Sequence, residues 1–196
     1  MKQFRIILAS ASPRRKELLN QIGIFPEIMP SDLEEHVTSL IPSEVVEQLS
    51  RQKADSIWGI CNNCGDKKLV VIGSDTVVSA GGRILGKPKD EAEAADMIGV
   101  LAGGSHQVYT GVTLVSAEKS ITFSEKTDVS VYPMTETEIR EYISCGESMD
   151  KAGAYGIQGR FAAYIEKIEG SYANVMGLPV GRVYQELKQL MEEHND

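Results

Sequence analysis

Apolar positions along the chain fall into short blocks that alternate between strand-like runs and helical spacing. Phe4 to Ala9 is a largely apolar, β-rich run, consistent with a buried strand. Ser12-Pro13 then predicts a helix start, with Ser at the N-cap and Pro at the first helical position. That helix runs through Leu18 and Leu19 and stops near Gly23, and a short extended piece follows at Phe25 to Met29. Val45, Val46, Leu49, Ile57 and Trp58 recur at roughly helical spacing, so a second helix begins near Ser43. Leu69 to Gly73 is the next strand and continues into Ser74-Asp75-Thr76-Val77-Val78, with a hairpin turn signal at Gly81-Gly82. A helix from about Asp90 to Leu101 ends at Gly103-Gly104. Two strands, near 107–116 and 121–131, read as a long hairpin. Thr135-Glu136-Thr137-Glu138 is a capping box opening a helix that carries Ile139, Tyr142 and Ile143. A glycine-rich segment, Asp150 to Gly159, leads into an expected strand Phe161–Ile168, and a loop Gly170 to Pro179 precedes a last amphipathic helix to about Met191. The order predicts a mixed α/β or α+β domain on a long central sheet, with room for two lobes.

Composition narrows the class. With 196 residues, 42% hydrophobic and 24% charged, the chain has the makings of one globular domain with a sizeable core, and no linker, repeat or low-complexity segment divides it. Twenty basic against 28 acidic residues give a net charge of −8, which argues against holding duplex nucleic acid while leaving room for a local basic pocket. No apolar run approaches the roughly 20 residues of a membrane span, and the N-terminal stretch reads as a strand, not a signal peptide. A soluble cytoplasmic protein is expected. The three cysteines are too few and odd in number for a disulfide framework. Cys61-Asn-Asn-Cys64 has CxxC spacing, but neither a second such pair nor a paired His motif completes a zinc site. It reads as a surface turn before Gly65-Asp66.

The candidate chemistry begins at Ala9-Ser10-Ala11-Ser12-Pro13-Arg14-Arg15. Two hydroxyl residues and two arginines sit at a helix N-terminus directly after a buried strand. Helix-end N–H groups, the helix dipole and guanidinium forks together suit a polyphosphate; the competing reading is a solvated helix start. Neither a Walker loop nor GxGxxG is present. Lys53 and Gly86-Lys87-Pro88 offer further cations. Gly73-Ser74-Asp75-Thr76 places a carboxylate at the end of an apolar strand, where α/β sheets bind ligands and where a buried acid serves as base or metal ligand. Glu34 or Glu35 supplies a second carboxylate unless this acidic turn simply faces solvent; with a phosphate substrate such oxygens point to Mg²⁺ or Mn²⁺. In the 150–159 segment, small residues admit a ligand close to the backbone, and the Gln158 amide has the donor and acceptor needed to read a base edge. Gly170-Ser171-Tyr172 to Gly177-Leu178-Pro179 is a second small-residue loop. Tyr109, Tyr142 and Tyr155 are read as packing residues.

Taken in order, these five motifs resemble the Maf family of nucleoside triphosphate pyrophosphatases over essentially the whole chain. The resemblance implies a fold like that of the inosine triphosphate pyrophosphatases, a cleft between two lobes, and a homodimer. It implies that Asp75 is the proton acceptor and that Arg14, Thr76 and Gln158 govern substrate choice. Lys53, Lys87 and Glu35 would line the phosphate and metal site, joined by Ser10, Ser12 and Arg15 around the triphosphate and by Asp75 at the metal. The Asp150–Gly159 sequence resembles the branch acting on dTTP and UTP, with a house-cleaning role toward non-canonical nucleotides. The rival readings are a 7-methyl-GTP or modified-purine pyrophosphatase, and a nucleotide-binding regulator of septum formation. The acid at Asp75 tells against a pure binder. Ser74 stands where many members have Ala.

Overall fold

The computed structural model describes residues 4–62 and 67–193; Cys64, Gly65 and Asp66 of the expected turn, and His194, lie outside them. The elements run β1 (Arg5–Leu8), α1 (Pro13–Gln21), β2 (Glu27–Ile28), α2 (Pro42–Cys61), β3 (Leu69–Ala80), β4 (Arg83–Leu85), α3 (Glu91–Leu101), β5 (Ser105–Val115), β6 (Ser120–Val131), α4 (Glu136–Ser144), β7 (Ile165–Glu169), α5 (Tyr172–Val175) and α6 (Val180–Glu193). The strands form one mixed sheet in the order β2-β1-β3-β5-β6-β7, with β4 beside β3. β1 lies parallel to β2 and β3, whereas β3–β4 and β6–β7 are antiparallel. The chain divides into two compact units, 1–75 with 110–125 and 177–196, and 76–109 with 126–176. The division falls between Asp75 and Thr76.

In the first unit α2 supplies the largest helical face. Val46, Leu49, Ala54 and Ile57 are buried, and Ala54 and Ile57 pack with Ile7, Ala9, Leu69, Val71 and Val115, with Met29, Trp58 and Cys61 at the margin. Full burial of each large aliphatic side chain contributes about 1.5–3 kcal/mol. Cys61 is a free thiol whose Sγ lies 3.5 Å from Met29 Sδ. The approach of α2 to the sheet is unusually close. A Cβ on Gly73 would overlap the Ser50 carbonyl oxygen and come within 2.8 Å of Ala54 Cβ, and one on Gly111 would overlap the Val46 carbonyl. A chain of hydroxyls continues the contact, from buried Ser50 to buried Thr113 at 3.0 Å and on to half-buried Thr122 at 3.0 Å.

In the second unit the Gly81-Gly82 turn and the capping box of α4 form as expected, and Asp90 adds a cap not singled out from sequence. Gly81 and Gly82 both take positive φ between β3 and β4. Asp90 accepts a hydrogen bond from the Glu93 amide to start α3, and Thr135 and Glu138 complete the capping box of α4. Two expectations are corrected. The strand drawn from Phe161 begins only at Ile165, because residues 160–164 make a 3-10 turn. Phe161 is fully buried against Tyr142, Tyr155 and Tyr164, which draws the segment inward before it can join the sheet. The expected loop from Gly170 also contains the single-turn helix α5, capped by Ser171.

The close approach makes an asymmetric prediction about glycine. Gly73→Ala and Gly111→Ala should each destabilise by about 1–3 kcal/mol, since backbone must shift to admit the methyl. Gly59→Ala, on α2 with open space around it, should stabilise by roughly 0.5–1 kcal/mol. Urea denaturation of the three variants checks the contrast, and equal effects at all three positions would refute it.

Candidate functional site

The polar cluster of the first unit is built on the ends of β1 and β3. Beyond β1, the Ser10 hydroxyl accepts from Arg15 Nη1 at 2.9 Å and from the Ser12 amide at 3.3 Å. Arg15 Nε also donates to the Gly177 carbonyl at 2.8 Å, and that carbonyl accepts from the fully buried Ser74 hydroxyl at 3.1 Å. Arg15 is thereby fixed rather than left to sweep solvent. Ser12 occupies the N-cap of α1, yet its side chain makes no capping hydrogen bond; the expectation of a capping serine is corrected in that respect. Arg14 is half-buried on the first turn.

Lys53, on α2, joins the two acids. Its ammonium bonds Oδ1 of Asp75 at the end of the apolar half of β3, and lies 2.9 Å from Oε1 of Glu35. Lys53 and Asp75 are largely buried, at 17% and 16% side-chain exposure, whereas Glu35 is half exposed. Glu35 sits in a segment without regular structure, held to α2 by two glutamines one helical turn apart. Gln52 bonds the main chain of His36 in both directions, at 3.0 and 2.6 Å, and Gln48 accepts from the Thr38 amide at 3.0 Å. These glutamines were not singled out from sequence; their i, i+4 spacing on one helix face is the signal that was there to find. Glu34 is exposed and Glu35 makes the ion pair. Burial draws the Arg15 guanidinium below the usual arginine value; Asp75 pulls it back up, Arg14 lowers it and Glu35 raises it. Ser10, Arg14, Arg15, Glu35, Lys53 and Asp75 therefore form one charged neighbourhood.

The other three candidates lie in the second unit. Thr76 is half-buried on β3, while Lys87 is exposed between Gly86 and the buried Pro88. The Gly153 amide donates to the Gly86 carbonyl at 3.0 Å, so the Lys87 segment is tied to the glycine-rich loop. Within that loop residues 153–157 are buried and Gln158 is exposed. Tyr142 and Tyr155 are packing residues, as expected from sequence. His106, on β5, was missed: it is fully buried, with Nε2 2.7 Å from the Tyr155 hydroxyl and Nδ1 unpartnered.

Among the described residues no three His, Cys, Asp or Glu side chains gather as a metal cluster. Two carboxylates do converge on one cation, the Lys53 ammonium, which stands in for positive charge between them. Hard oxygen donors in that number fit a divalent ion that completes its shell with water and substrate phosphates.

The fold and this cluster define an α/β protein with a cationic anchor beside paired acids. A family model described as Maf-like protein matches residues 5–190, and the chain belongs to the Maf family. It is 54% identical to a dTTP/UTP pyrophosphatase of Agathobacter rectalis over 95% of this chain and 97% of that one. It is 49% identical to one of Carboxydothermus hydrogenoformans, covering 94% and 98%, and 46% identical to one of Bacillus cereus, covering 94% and 95%. The Ham1 protein of Staphylococcus aureus aligns at TM-score 0.45 and 13% identity over 65% of this chain and 71% of that one, too distant a likeness to carry an argument.

His106 makes the stability of the second unit pH-dependent. Burial pushes its pKa from 6.5 down to about 4, so below about pH 6.5 the unfolded chain takes up the proton first and folding is progressively penalised. The contribution is intact above 6.5 and lost as pH falls toward 4, about 3 kcal/mol in all. Denaturation of the wild type between pH 7 and 4 should show this slope relative to His106→Gln, and parallel curves would refute it.

Proposed function

We propose that this protein hydrolyses dTTP and UTP to the nucleoside monophosphate and pyrophosphate. The observation that carries the reading is the convergence of Asp75 and Glu35 on Lys53 beside Arg15, in a Maf-family chain whose relatives bear that activity in their names. Arg14, Arg15, the N-terminus of α1, Lys53 and Lys87 bind the triphosphate, and Ser10 orients Arg15. A water oxygen bonds the α-phosphorus, the bridging oxygen leaves with pyrophosphate, and the water's proton passes to Asp75. Lys53 engages Oδ1 of that carboxylate, which supports a role for the ammonium in orienting it.

Glu35 and Asp75 would hold a Mg²⁺ or Mn²⁺ ion, which when bound supplies charge against that building on the phosphate oxygens. Ser12 lies at the helix start that receives the phosphates, while Thr76 and Gln158 select the base. An exposed amide on a buried loop suits a contact to the pyrimidine edge common to uracil and thymine, and such a site rejects other bases because its polar groups would be left unpaired. The active form is a homodimer, 1–196 forming one catalytic domain in the cytoplasm. Among the described residues no helix is long and apolar enough to cross a membrane.

Pyrophosphate release from dTTP, UTP, CTP, GTP and 7-methyl-GTP with Mg²⁺ or Mn²⁺ tests this. Cleavage should favour dTTP and UTP and fall by about 10² or more in Asp75→Asn, a typical general-base contribution. Preference for 7-methyl-GTP, or near-normal turnover in folded Asp75→Asn, would overturn the substrate or the base assignment respectively. Gln158→Ala should compress the UTP:GTP ratio without abolishing turnover; an unchanged ratio removes it as base reader.

A further inference from the structure

We propose that His106 and Tyr155 form a buried positioning pair that fixes the 150–159 loop and thereby sets the base selectivity assigned to Gln158. This rests on the pyrophosphatase reading for its selectivity arm, although the geometry stands apart from it. Gln158 has no anchor of its own in this structure: it is exposed, flanked by the buried Ile157 and by Gly159. Its position is inherited from neighbours. Three residues before it, the Tyr155 hydroxyl meets His106 Nε2 at 2.7 Å, with the two rings edge to face at 5.3 Å. His106 lies on β5, an interior strand, so the bond ties the loop to the sheet. Tyr155 also stacks on Phe161 at 4.7 Å, on the far side of Gln158.

Further bonds hold the loop to its surroundings and to itself. The Gly156 amide donates to the Tyr142 hydroxyl at 3.1 Å, and the Gly159 amide to the Gly156 carbonyl at 3.1 Å. The Arg160 amide donates to Glu147 at 2.9 Å. Ala154, directly before Tyr155, takes a φ of +61°, a left-handed conformation unfavourable for any residue with a Cβ. Such a conformation persists only where its surroundings over-determine it, and the adjacent anchor is the Tyr155 hydroxyl. Burial holds the imidazole neutral, so the pair is a hydrogen bond between uncharged groups rather than an ion pair. Removing the hydroxyl alone leaves the aromatic stack in place, which separates positioning from packing.

Tyr155→Phe is therefore the decisive variant, with His106→Gln as the conservative partner whose amide can reach the same hydroxyl. Two readouts are compared with wild type: the UTP:GTP ratio of kcat/KM, and hydrogen exchange at the amides of residues 154–159. Tyr155→Phe should lower the ratio about five- to tenfold, the size of one ordinary hydrogen bond, through KM for UTP and with kcat for GTP unchanged. Exchange at those amides should quicken, and His106→Gln should keep both readouts near wild type. An unaltered ratio with unaltered exchange in folded Tyr155→Phe overturns the proposal, as does an equal loss toward UTP and GTP. If the wild type hydrolyses none of the nucleotides, the proposed function fails instead, and exchange alone decides whether the pair holds the loop.

Discussion

The polar site of the first unit depends on how closely α2 lies on the sheet. Gly73 and Gly111 have no Cβ where helix backbone passes, so Ser50 and Val46 carbonyls rest directly on the strands. Lys53 stands between Ser50 and Ala54 on that contacting stretch. Were the helix held off by a side chain at Gly73, the lysine stem would be spent crossing the gap. Here the ammonium reaches Asp75 only two residues beyond Gly73 along β3. Steric absence at one glycine thus becomes electrostatic contact at the neighbouring acid.

That contact gathers positive charge in one place within a chain of net charge −8. Binding responds to the local field, not the total. Arg15 and Lys53 are held in place by their own partners, with Arg14 in the same neighbourhood. Arg15 is bonded to Ser10 and to the Gly177 carbonyl, and its conformational entropy is already lost on folding rather than on binding. The Ser74 hydroxyl adds a second donor to the same carbonyl. An alanine at that position could not make this bond, which gives the serine a structural reason to be there.

Much of this was legible in the sequence because the decisive signals are local. Ser12-Pro13 and Thr135-Glu138 name helix starts through short-range chemistry, and each start falls where expected. The periodicity of Val46, Leu49 and Ile57 likewise found α2. What escaped depends on contacts between distant positions. Phe161 reads as a strand residue, and only its burial against Tyr142 and Tyr155 turns residues 160–164 into a tight turn. Gln48 and Gln52 look like solvated helix residues until the 36–38 segment is laid beside them. His106 alternates correctly for a strand and so attracted no notice. Asp75 was found because a carboxylate ending an apolar run is anomalous by itself, whereas the acidic turn at Glu34 and Glu35 reads equally as a solvated face. Gln48, Gln52 and His106 are ordinary residues in ordinary patterns, and only the fold gives them a task.

The two units solve the problem of holding a functional side chain in different ways. In the first, Lys53 and Asp75 stand on regular elements and need only one close approach to meet. In the second, Gln158 stands on a loop whose backbone includes an alanine in the left-handed region, and regular structure cannot supply the constraint. The substitute is a set of side-chain bonds to the loop's own main chain and hydroxyl: His106 to Tyr155, Tyr142 to Gly156, Glu147 to Arg160. Each is individually worth about 1 kcal/mol, and any one alone would leave the loop free to relax. They act at successive positions, so that losing any one of them loosens the segment that carries Gln158. A side chain on such a loop keeps its place only while these bonds hold, and selectivity in any recognition site is lost as soon as the contacting group can move to suit the wrong partner.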